Sequence, residues 1–370
     1  MVLVGGRGTR LGPITKFTAK PAVSFGGKYK LIDFVLSNLT NSRINTVGIV
    51  TQYEPHELMQ YIQRGATWDL DSSDGGIHFL TPYTSYEGDN WQKGTAHAIL
   101  QHLRFIKEYN PDYVLILSGD HVYKMNYQPM IDAHEKSLAD ITIAAFKPHD
   151  NLSRYGVLTL DEENRVINFE EKPDQPKGEY ASMGIYVFKT KCLEEVLKDA
   201  LSEDIDFGKN IIPKALKEGR MIKSYPFDHY FRDVGTIESL YEANMDLIHH
   251  PEYLKIHDYK TLPLFTKSQD LPPHHIAAKA KVKNSLISDG SLIMGYVNES
   301  IISSNVLINH DANIDQSLIL SHTKIGEGAK LKNCILLENT FVLPNTELIF
   351  DEVTVIDNDV LWALGGGQHD

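Results

Sequence analysis

Gly5-Gly6-Arg7-Gly8-Thr9-Arg10 places two guanidinium groups among three glycines, directly after the apolar Val2-Leu3-Val4, and Lys20-Pro21 follows a short distance on. Glycine lets backbone N–H groups approach a ligand where a Cβ would intrude. Successive N–H groups in such a turn form a concave anion site, and the arginines add fixed positive charge. The chemistry this composition suits is the holding of phosphates. A Walker A string, G-x-x-x-x-G-K-[ST], does not follow the strand. The dinucleotide fingerprint G-x-G-x-x-G is met at Gly6 and Gly8 only, because Leu11 stands in the third place and Gly12 comes one residue late. Asp33 lies roughly 20 residues on, where a ribose-binding acid would sit, so a dinucleotide site stays open as the weaker alternative. However, Asp33 is embedded in Lys30-Leu31-Ile32-Asp33-Phe34 and ends no clear second strand. A plain tight turn would need neither the arginines nor the Lys-Pro.

Further along, Ser118-Gly119-Asp120-His121-Val122-Tyr123 succeeds the apolar run Tyr113 to Leu117. An aspartate at the tip of a parallel strand faces the ligand crevice, and Mg²⁺ takes one or two carboxylates together with substrate phosphates. Asp120 reads as such a ligand or as the cap of the next turn; His121 reads as a packing or hydrogen-bonding residue. Asp233, in Tyr230-Phe231-Arg232-Asp233-Val234-Gly235, is a second carboxylate candidate. Lys172 in Phe169-Glu170-Glu171-Lys172-Pro173 suits a monophosphate as a compact point charge, or is a solvated lysine in a Glu-rich turn. Asp206, ahead of Phe207-Gly208-Lys209, suits a helix N-cap equally well. Trp91-Gln92-Lys93-Gly94-Thr95-Ala96 opens a helix with small residues that admit a base or phosphate.

These residues have to be positioned by a sizeable scaffold. At 370 residues the chain exceeds one small core and implies two domains. Hydrophobic residues at 42% and charged residues at 23% place it with soluble globular proteins. A formal net charge of −13 argues against nucleic acid as a partner, which calls for a basic face. An anionic substrate remains compatible, since local lysines and arginines set the field of a pocket. Cys192 and Cys334 fit no paired metal spacing and suit a reducing, cytoplasmic setting. No apolar run approaches the ~20 residues of a membrane span, and no signal-peptide pattern precedes the first strand. So abrupt a start leaves the completeness of that strand open.

Over residues 1–248 strands alternate with helices. Strands are expected at Thr46 to Thr51, Tyr113 to Ser118, Ile141 to Phe146, Val157 to Leu160 and Met183 to Phe188; helices at His56 to Arg64, Thr95 to Glu108 and Tyr127 to Ser137. That alternation implies βαβ units, an α/β fold of Rossmann-like type with a mixed, mostly parallel sheet, and ligands beyond the strands' carboxyl ends. Residues 249–275, rich in Pro, His and Lys, read as a linker. In 276–370 apolar doublets recur near six-residue spacing, among them Leu286-Ile287, Leu292-Ile293, Ile301-Ile302, Leu318-Ile319, Ile335-Leu336 and Phe341-Val342. Such a period fits a left-handed parallel β-helix. A β-sandwich, whose strands should be longer and alternate polar with apolar, is the alternative. β-helix ends and faces commonly associate, so an oligomer is expected.

The order of motifs along the chain (GGRGTRL, AKPAV-FGGKY, TQY, W-x-KGTA, SGDHVY, FEEKP, ASMGIYVF, DFGK, FRDVGT) resembles the glucose-1-phosphate adenylyltransferases over essentially its whole length. The first and fifth motifs are shared with many sugar-phosphate nucleotidyltransferases, whereas FGGKY-x-LIDF, TQY, ASMGIYVF and DFGK point to the ADP-glucose branch. The resemblance implies that Gly5, Gly6, Gly8, Thr9 and Arg10 cradle the triphosphate of ATP, and that Lys20 steadies the developing pyrophosphate. Gln52, Trp91, Gly94 and Thr95 would lie by the nucleotide. Lys172 would bind the phosphate of glucose 1-phosphate, with Gly156, Glu171, Ser182, Tyr186 and Asp206 around the sugar. Asp120 and Asp233 would hold Mg²⁺, and Arg10, Lys20 and Asp120 would serve the chemical step.

The implied reaction makes ADP-glucose and pyrophosphate for glycogen (α-glucan) synthesis. Its nucleophile is already anionic, so positioning and charge neutralisation suffice. A homotetramer, or a heterotetramer with a paralogous subunit, is the implied assembly, under allosteric control. Some positions depart from the family pattern. Val4 replaces the usual Ala, Gln92 an aromatic and Phe231 a tryptophan, while Phe17 stands where some members carry an activator-binding lysine. A non-catalytic regulatory subunit, a pure scaffold, or an enzyme using another nucleotide are the competing readings. Retention of Arg10, Lys20, Asp120, Lys172 and Asp233 counts against the first two.

Overall fold

The computed structural model describes the chain except for residues 7, 17, 54, 83, 86–87, 90–93, 149–150, 199–205 and 366–370, and it gives no side-chain description for 84–85 and 88–89. Arg7, Phe17, Trp91 and Gln92 lie outside the described residues. The chain divides into two compact units, one comprising Met1–Gly6, Val35–Gly119 and Tyr123–Phe231, the other Arg7–Phe34, Asp120–Val122 and Arg232–Asp370.

The first unit is built on a nine-stranded mixed sheet. One half is parallel: Val2–Val4 lies between Thr46–Thr51 and Tyr113–Ser118, with Gly76–Leu80 beyond Thr46–Thr51 at the edge. In the other half the long strand Tyr180–Lys189 runs antiparallel to Tyr113–Ser118, Ile141–Phe146 and Gly156–Leu160. Gly156–Leu160 pairs in turn with Val166–Glu171, and Ile222–Pro226 adds a parallel strand beside Ile141–Phe146. Ile141–Phe146 is buried at every residue and apolar except for Thr142, the pattern of a strand covered on both faces. The register Val2↔Leu117 and Leu3↔Ser118 brings the ends of two parallel strands side by side, and the Gly119 N–H donates to the Leu3 carbonyl at 3.0 Å. Gly5 and Gly119 therefore leave the same edge of the sheet, as the sequence predicts.

One expected helix is two. Thr95–Gln101 and Leu103–Tyr109 are separated at His102, whose φ of −108° and ψ of 18° leave the helical region. The break lets Ala96, Ala98 and Ile99 on one piece and Ile106 on the other each reach the apolar core.

In the second unit, helix Ile237–His249 starts from a capping box in which Thr236 and Ser239 satisfy each other's backbone N–H groups. Residues 255–274 run without helix or strand. Beyond them the apolar doublets form a three-sided left-handed parallel β-helix. One side stacks His275–Ile276, Leu292–Ile293, Leu307–Ile308, Lys324–Ile325 and Phe341–Val342 in parallel. The other sides stack Lys281–Lys283, Tyr296–Asn298 and Asn313–Asp315, and Leu286–Ile287, Ile301–Ile302 and Leu318–Ile319. Bonds between successive coils span 15 residues at Ser291–Val306 and 17 at Asn298–Asp315, so a coil is slightly shorter than three strict hexads. The corners supply the reason. Asn305, Asp311, Gln316, His322, Asn333 and Asn339 turn the chain at positive φ, a conformation that Asn and Asp tolerate better than most residues. Ile293, Val297, Ile302, Ile308, Ile314 and Ile325 fill the interior column.

The same unit holds the hairpin Ser24–Phe25 and Tyr29–Lys30 against the β-helix. Ser24 Oγ donates to Glu338 Oε1 at 3.0 Å, the Gly26 N–H to Asn244 Oδ1 at 2.8 Å, and Tyr241 OH to the Gln316 carbonyl at 2.8 Å. Gly27, with φ of 77°, approaches so closely that a Cβ would stand 2.8 Å from Ser288 Oγ. Cys192 and Cys334 are buried free thiols. Among the described residues no helix is long and apolar enough to cross a membrane.

Candidate active site

Lys20 is the centre of one group of candidate residues, all in the second unit. It opens a single 3₁₀ turn, Lys20–Ala22, whose first position is followed by Pro21, and its side chain is almost fully buried. Its ammonium lies 2.8 Å from Asp120 Oδ2 and 3.1 Å from Asp233 Oδ1. Burial alone would lower the Lys20 pKa; the two carboxylates outweigh it and hold the ammonium above its ordinary 10.5. Burial likewise works to raise the Asp233 carboxyl, but His121 and Lys20 reverse the sign and keep it below its ordinary 3.8. His121 Nε2 stands 3.5 Å from Asp120 Oδ1 and 3.9 Å from Asp233 Oδ1. The result is a compact cluster in which the Lys20 ammonium bridges two carboxylates, and Asp233 is held in its ionised form.

Arg10 joins this group. A Cβ on Gly235 would fall 2.8 Å from Arg10 Nη2 and 3.3 Å from Asp233 Oδ1, so the guanidinium lies over bare backbone next to the aspartate. Gly8 carries a left-handed φ of 63°, accepts the Leu11 N–H at 2.8 Å and the Thr15 hydroxyl at 2.9 Å, and starts the 3₁₀ segment Thr9–Thr15. Thr9 and Arg10 are exposed on that segment, and Gly6 has open space on its Cβ side. Asp33 does not serve a ribose. It is fully buried in the first turn of helix Leu31–Asn41, where Oδ2 accepts the Lys30 N–H at 2.9 Å, which removes the dinucleotide alternative.

A second group belongs to the first unit. Glu171 ends its strand opposite Gly156, in the register Gly156↔Glu171. Lys172 follows with a left-handed φ of 47°, its N–H donating to the Tyr155 carbonyl at 3.0 Å. Its ammonium is mostly exposed, 3.9 Å from Glu171 Oε1. Burial raises the Glu171 carboxyl pKa, Lys172 works against this, and Asp206 adds to it. Tyr186 is buried and stacks on Phe207 with centroids 5.6 Å apart; burial pushes its hydroxyl pKa well up, a hydrogen bond with Ser182 works against that, and Glu171 and Asp206 add to it. Of the two roles open to Asp206, the cap is made in the structure: Oδ1 accepts from the Gly208 N–H at 2.9 Å and the Lys209 N–H at 3.1 Å. Thr95, the first residue of its helix, donates to Asp206 Oδ2, and Gly94 is its extended N-cap. Gln52, half-buried, comes directly after strand Thr46–Thr51.

The structure thus gathers Arg10, Lys20, Asp120 and Asp233 in one unit, and Thr95, Gly156, Glu171, Lys172, Ser182, Tyr186 and Asp206 in the other. His121, expected to pack or hydrogen-bond, faces both carboxylates. One further participant is not apparent in the sequence. Gly235 clears space for Arg10, and only the glycine in Asp233-Val234-Gly235 hints at it. Among the described residues no cluster of three or more His, Cys, Asp or Glu could hold a metal ion by itself. Two hard carboxylates that already converge on one cation do suit Mg²⁺, which completes its shell with substrate phosphates and water.

The nucleotidyl transferase family matches residues 1–250, and the GlmU-like, C-terminal hexapeptide family matches residues 273–356. The chain is 46% identical over 346 residues to a glucose-1-phosphate adenylyltransferase of Desulfitobacterium hafniense (strain Y51), covering 92% of this chain and 87% of that protein. A Bacillus thuringiensis (strain Al Hakam) protein of the same name is 44% identical over 375 residues, 99% of this chain and 97% of its own length. One from Clostridium acetobutylicum is 49% identical over 315 residues, covering 84% and 83%.

Proposed function

The chain belongs to the glucose-1-phosphate adenylyltransferases of the nucleotidyl transferase family, and on that footing we propose that it forms ADP-glucose and pyrophosphate from ATP and α-D-glucose 1-phosphate. The observation that carries the reading is the buried Lys20 ammonium clasped by Asp120 and Asp233, with Arg10 beside it. A phosphate oxygen of glucose 1-phosphate attacks the α-phosphorus of ATP; the bond from that phosphorus to the bridging oxygen of the β-phosphate breaks, and pyrophosphate leaves with the electron pair. The nucleophile carries its own negative charge, so no side chain has to remove a proton. The protein's task is to align the two substrates and neutralise the phosphates.

In this reading Gly5, Gly6, Gly8, Thr9 and Arg10 cradle the triphosphate, and Lys20 meets the charge that develops on the leaving pyrophosphate. Gln52, Trp91, Gly94 and Thr95 lie along the nucleotide. Lys172 receives the phosphate of the sugar, with Gly156, Glu171, Ser182, Tyr186 and Asp206 around its hydroxyls. Asp120 and Asp233 would hold Mg²⁺, which when bound supplies charge neutralisation on the phosphates. We assign the product to glycogen (α-glucan) synthesis in the cytoplasm, and the working assembly to a homotetramer or a heterotetramer with a paralogous subunit, under allosteric control.

The test is pyrophosphate release by the purified chain with glucose 1-phosphate, Mg²⁺ and, in parallel, ATP, UTP, dTTP or GTP. Release that prefers ATP is expected. Silence with every nucleotide, alone and with a paralogous subunit, would leave a structural subunit as the function. A preference for another nucleotide would move the chain to a different product. Light scattering of the purified protein decides the subunit number.

A further inference from the structure

Gly208 stands in the turn of π-helix Phe207–Ile211, where alanine would be the better helix former. Its φ is not left-handed, so the backbone conformation does not demand a glycine. What demands it is Glu171. A Cβ on Gly208 would overlap Glu171 Oε2 and lie 3.0 Å from Cδ of the same carboxylate; the next nearest atom is Asp206 Oδ1, at an ordinary contact distance of 3.4 Å. Gly156, on the strand paired with Glu171, presents bare backbone to the same oxygen, and a Cβ there would be 2.9 Å from Oε2. Two glycines from separate elements therefore leave room for one carboxylate oxygen. The Gly208 backbone is fixed in turn, because its N–H donates to Asp206 Oδ1 at 2.9 Å.

We infer that Gly208 is a positioning residue of the sugar subsite: its missing side chain sets how far the Glu171 carboxylate is drawn back, and thereby where that carboxylate meets a hydroxyl of the sugar phosphate. This rests on the reading that Glu171 contacts glucose 1-phosphate. Gly156 shares the task, but a Cβ on it would also strike Phe169 Cζ at 2.5 Å, so its replacement would disturb the core as well. Gly208 is the position at which the effect on Glu171 can be isolated.

The experiment compares wild type, Gly208→Ala, Glu171→Ala and the double variant by initial rates with glucose 1-phosphate, ATP and Mg²⁺, together with thermal melting. Gly208→Ala is expected to raise KM for glucose 1-phosphate about tenfold while KM for ATP stays put, as loss of an interaction confined to one substrate does. Its melting temperature should hold or rise, because an alanine in a helical turn favours folding. In the Glu171→Ala background the alanine at 208 should add nothing. A rise in both KM values, or an equal effect with and without Glu171, would make Gly208 merely structural. An unchanged KM in Gly208→Ala beside a raised one in Glu171→Ala overturns the inference and spares the reading of Glu171. An unchanged KM in Glu171→Ala overturns both.

Discussion

The hydroxyl of Thr95 donates to Asp206 Oδ2 at 2.9 Å and accepts the Phe207 N–H at 3.1 Å, so one oxygen joins the first residue of a helix to the turn that follows Asp206. Thr95 stands at the end of the W-x-KGTA motif, on the proposed nucleotide side; Asp206 caps the turn beside Glu171 and Tyr186, on the proposed sugar side. The link is polar, spans 111 residues of sequence, and makes each element a support of the other.

Thr95→Val removes both hydrogen bonds and leaves the Phe207 N–H without its acceptor, at a cost of about 1–3 kcal/mol. We expect a lower melting temperature and KM values that rise for both substrates. Thr95→Ser, which keeps the oxygen, should restore most of each. Valine behaving as well as serine would show that shape alone matters at this position.

Asp120→Asn keeps the shape of the side chain and withdraws its charge. Lys20 would remain paired with Asp233, so the fold should persist, as checked by circular dichroism. Turnover should fall on the order of 10² or more, the scale of losing one electrostatic stabiliser of a transition state. Turnover within a few-fold of wild type would remove Asp120 from the chemistry and leave the cluster a structural one.

Much of this was legible in the sequence, for physical reasons that differ by element. Thr46–Thr51, Tyr113–Ser118 and Ile141–Phe146 are largely apolar runs bounded by polar residues, and their limits in the structure are those expected. The β-helix announced itself because each coil side must place an apolar residue in the central column. The break at His102 left no such trace: Thr95 to Glu108 keeps helical spacing through it, and only the packing divides it. Lys20 and Asp233 stood out as charged residues in motifs, yet nothing local says that residues 213 apart meet. Contacts made by an absence, such as Gly208 clearing Glu171, are the least visible, since a glycine in sequence looks first like a turn.

Lys172 offers a separation of backbone from charge. Its left-handed φ of 47° costs a non-glycine residue about 1 kcal/mol. Lys172→Ala should raise KM for glucose 1-phosphate and keep the strain. Lys172→Gly should raise KM equally but stabilise the fold by up to about 1 kcal/mol relative to the alanine variant, read in urea melts. An unchanged KM for the sugar phosphate with a raised one for ATP would reassign Lys172 to the nucleotide.

His134 makes stability depend on pH away from the proposed chemistry. It is fully buried on helix Gln128–Ser137, with Nδ1 2.7 Å from Thr142 Oγ1 and its ring edge-on to Tyr113 at 5.0 Å. Burial lowers its pKa from 6.5 to about 4; Lys189 adds to the effect and Asp140 opposes it. The folded pKa lies below the unfolded one, so the unfolded chain binds the proton first. The stability tied to neutral His134 is complete above pH 6.5 and is lost progressively as the pH falls towards 4, below which this residue takes no more. Its full size is about 3 kcal/mol at most. Urea melts between pH 7.5 and 4.5 should therefore show a decline in wild type that is shallower in His134→Gln, whose neutral amide can still meet Thr142. Equal slopes in the two proteins would mean that the acid sensitivity comes from other groups and that His134 accepts its proton without cost.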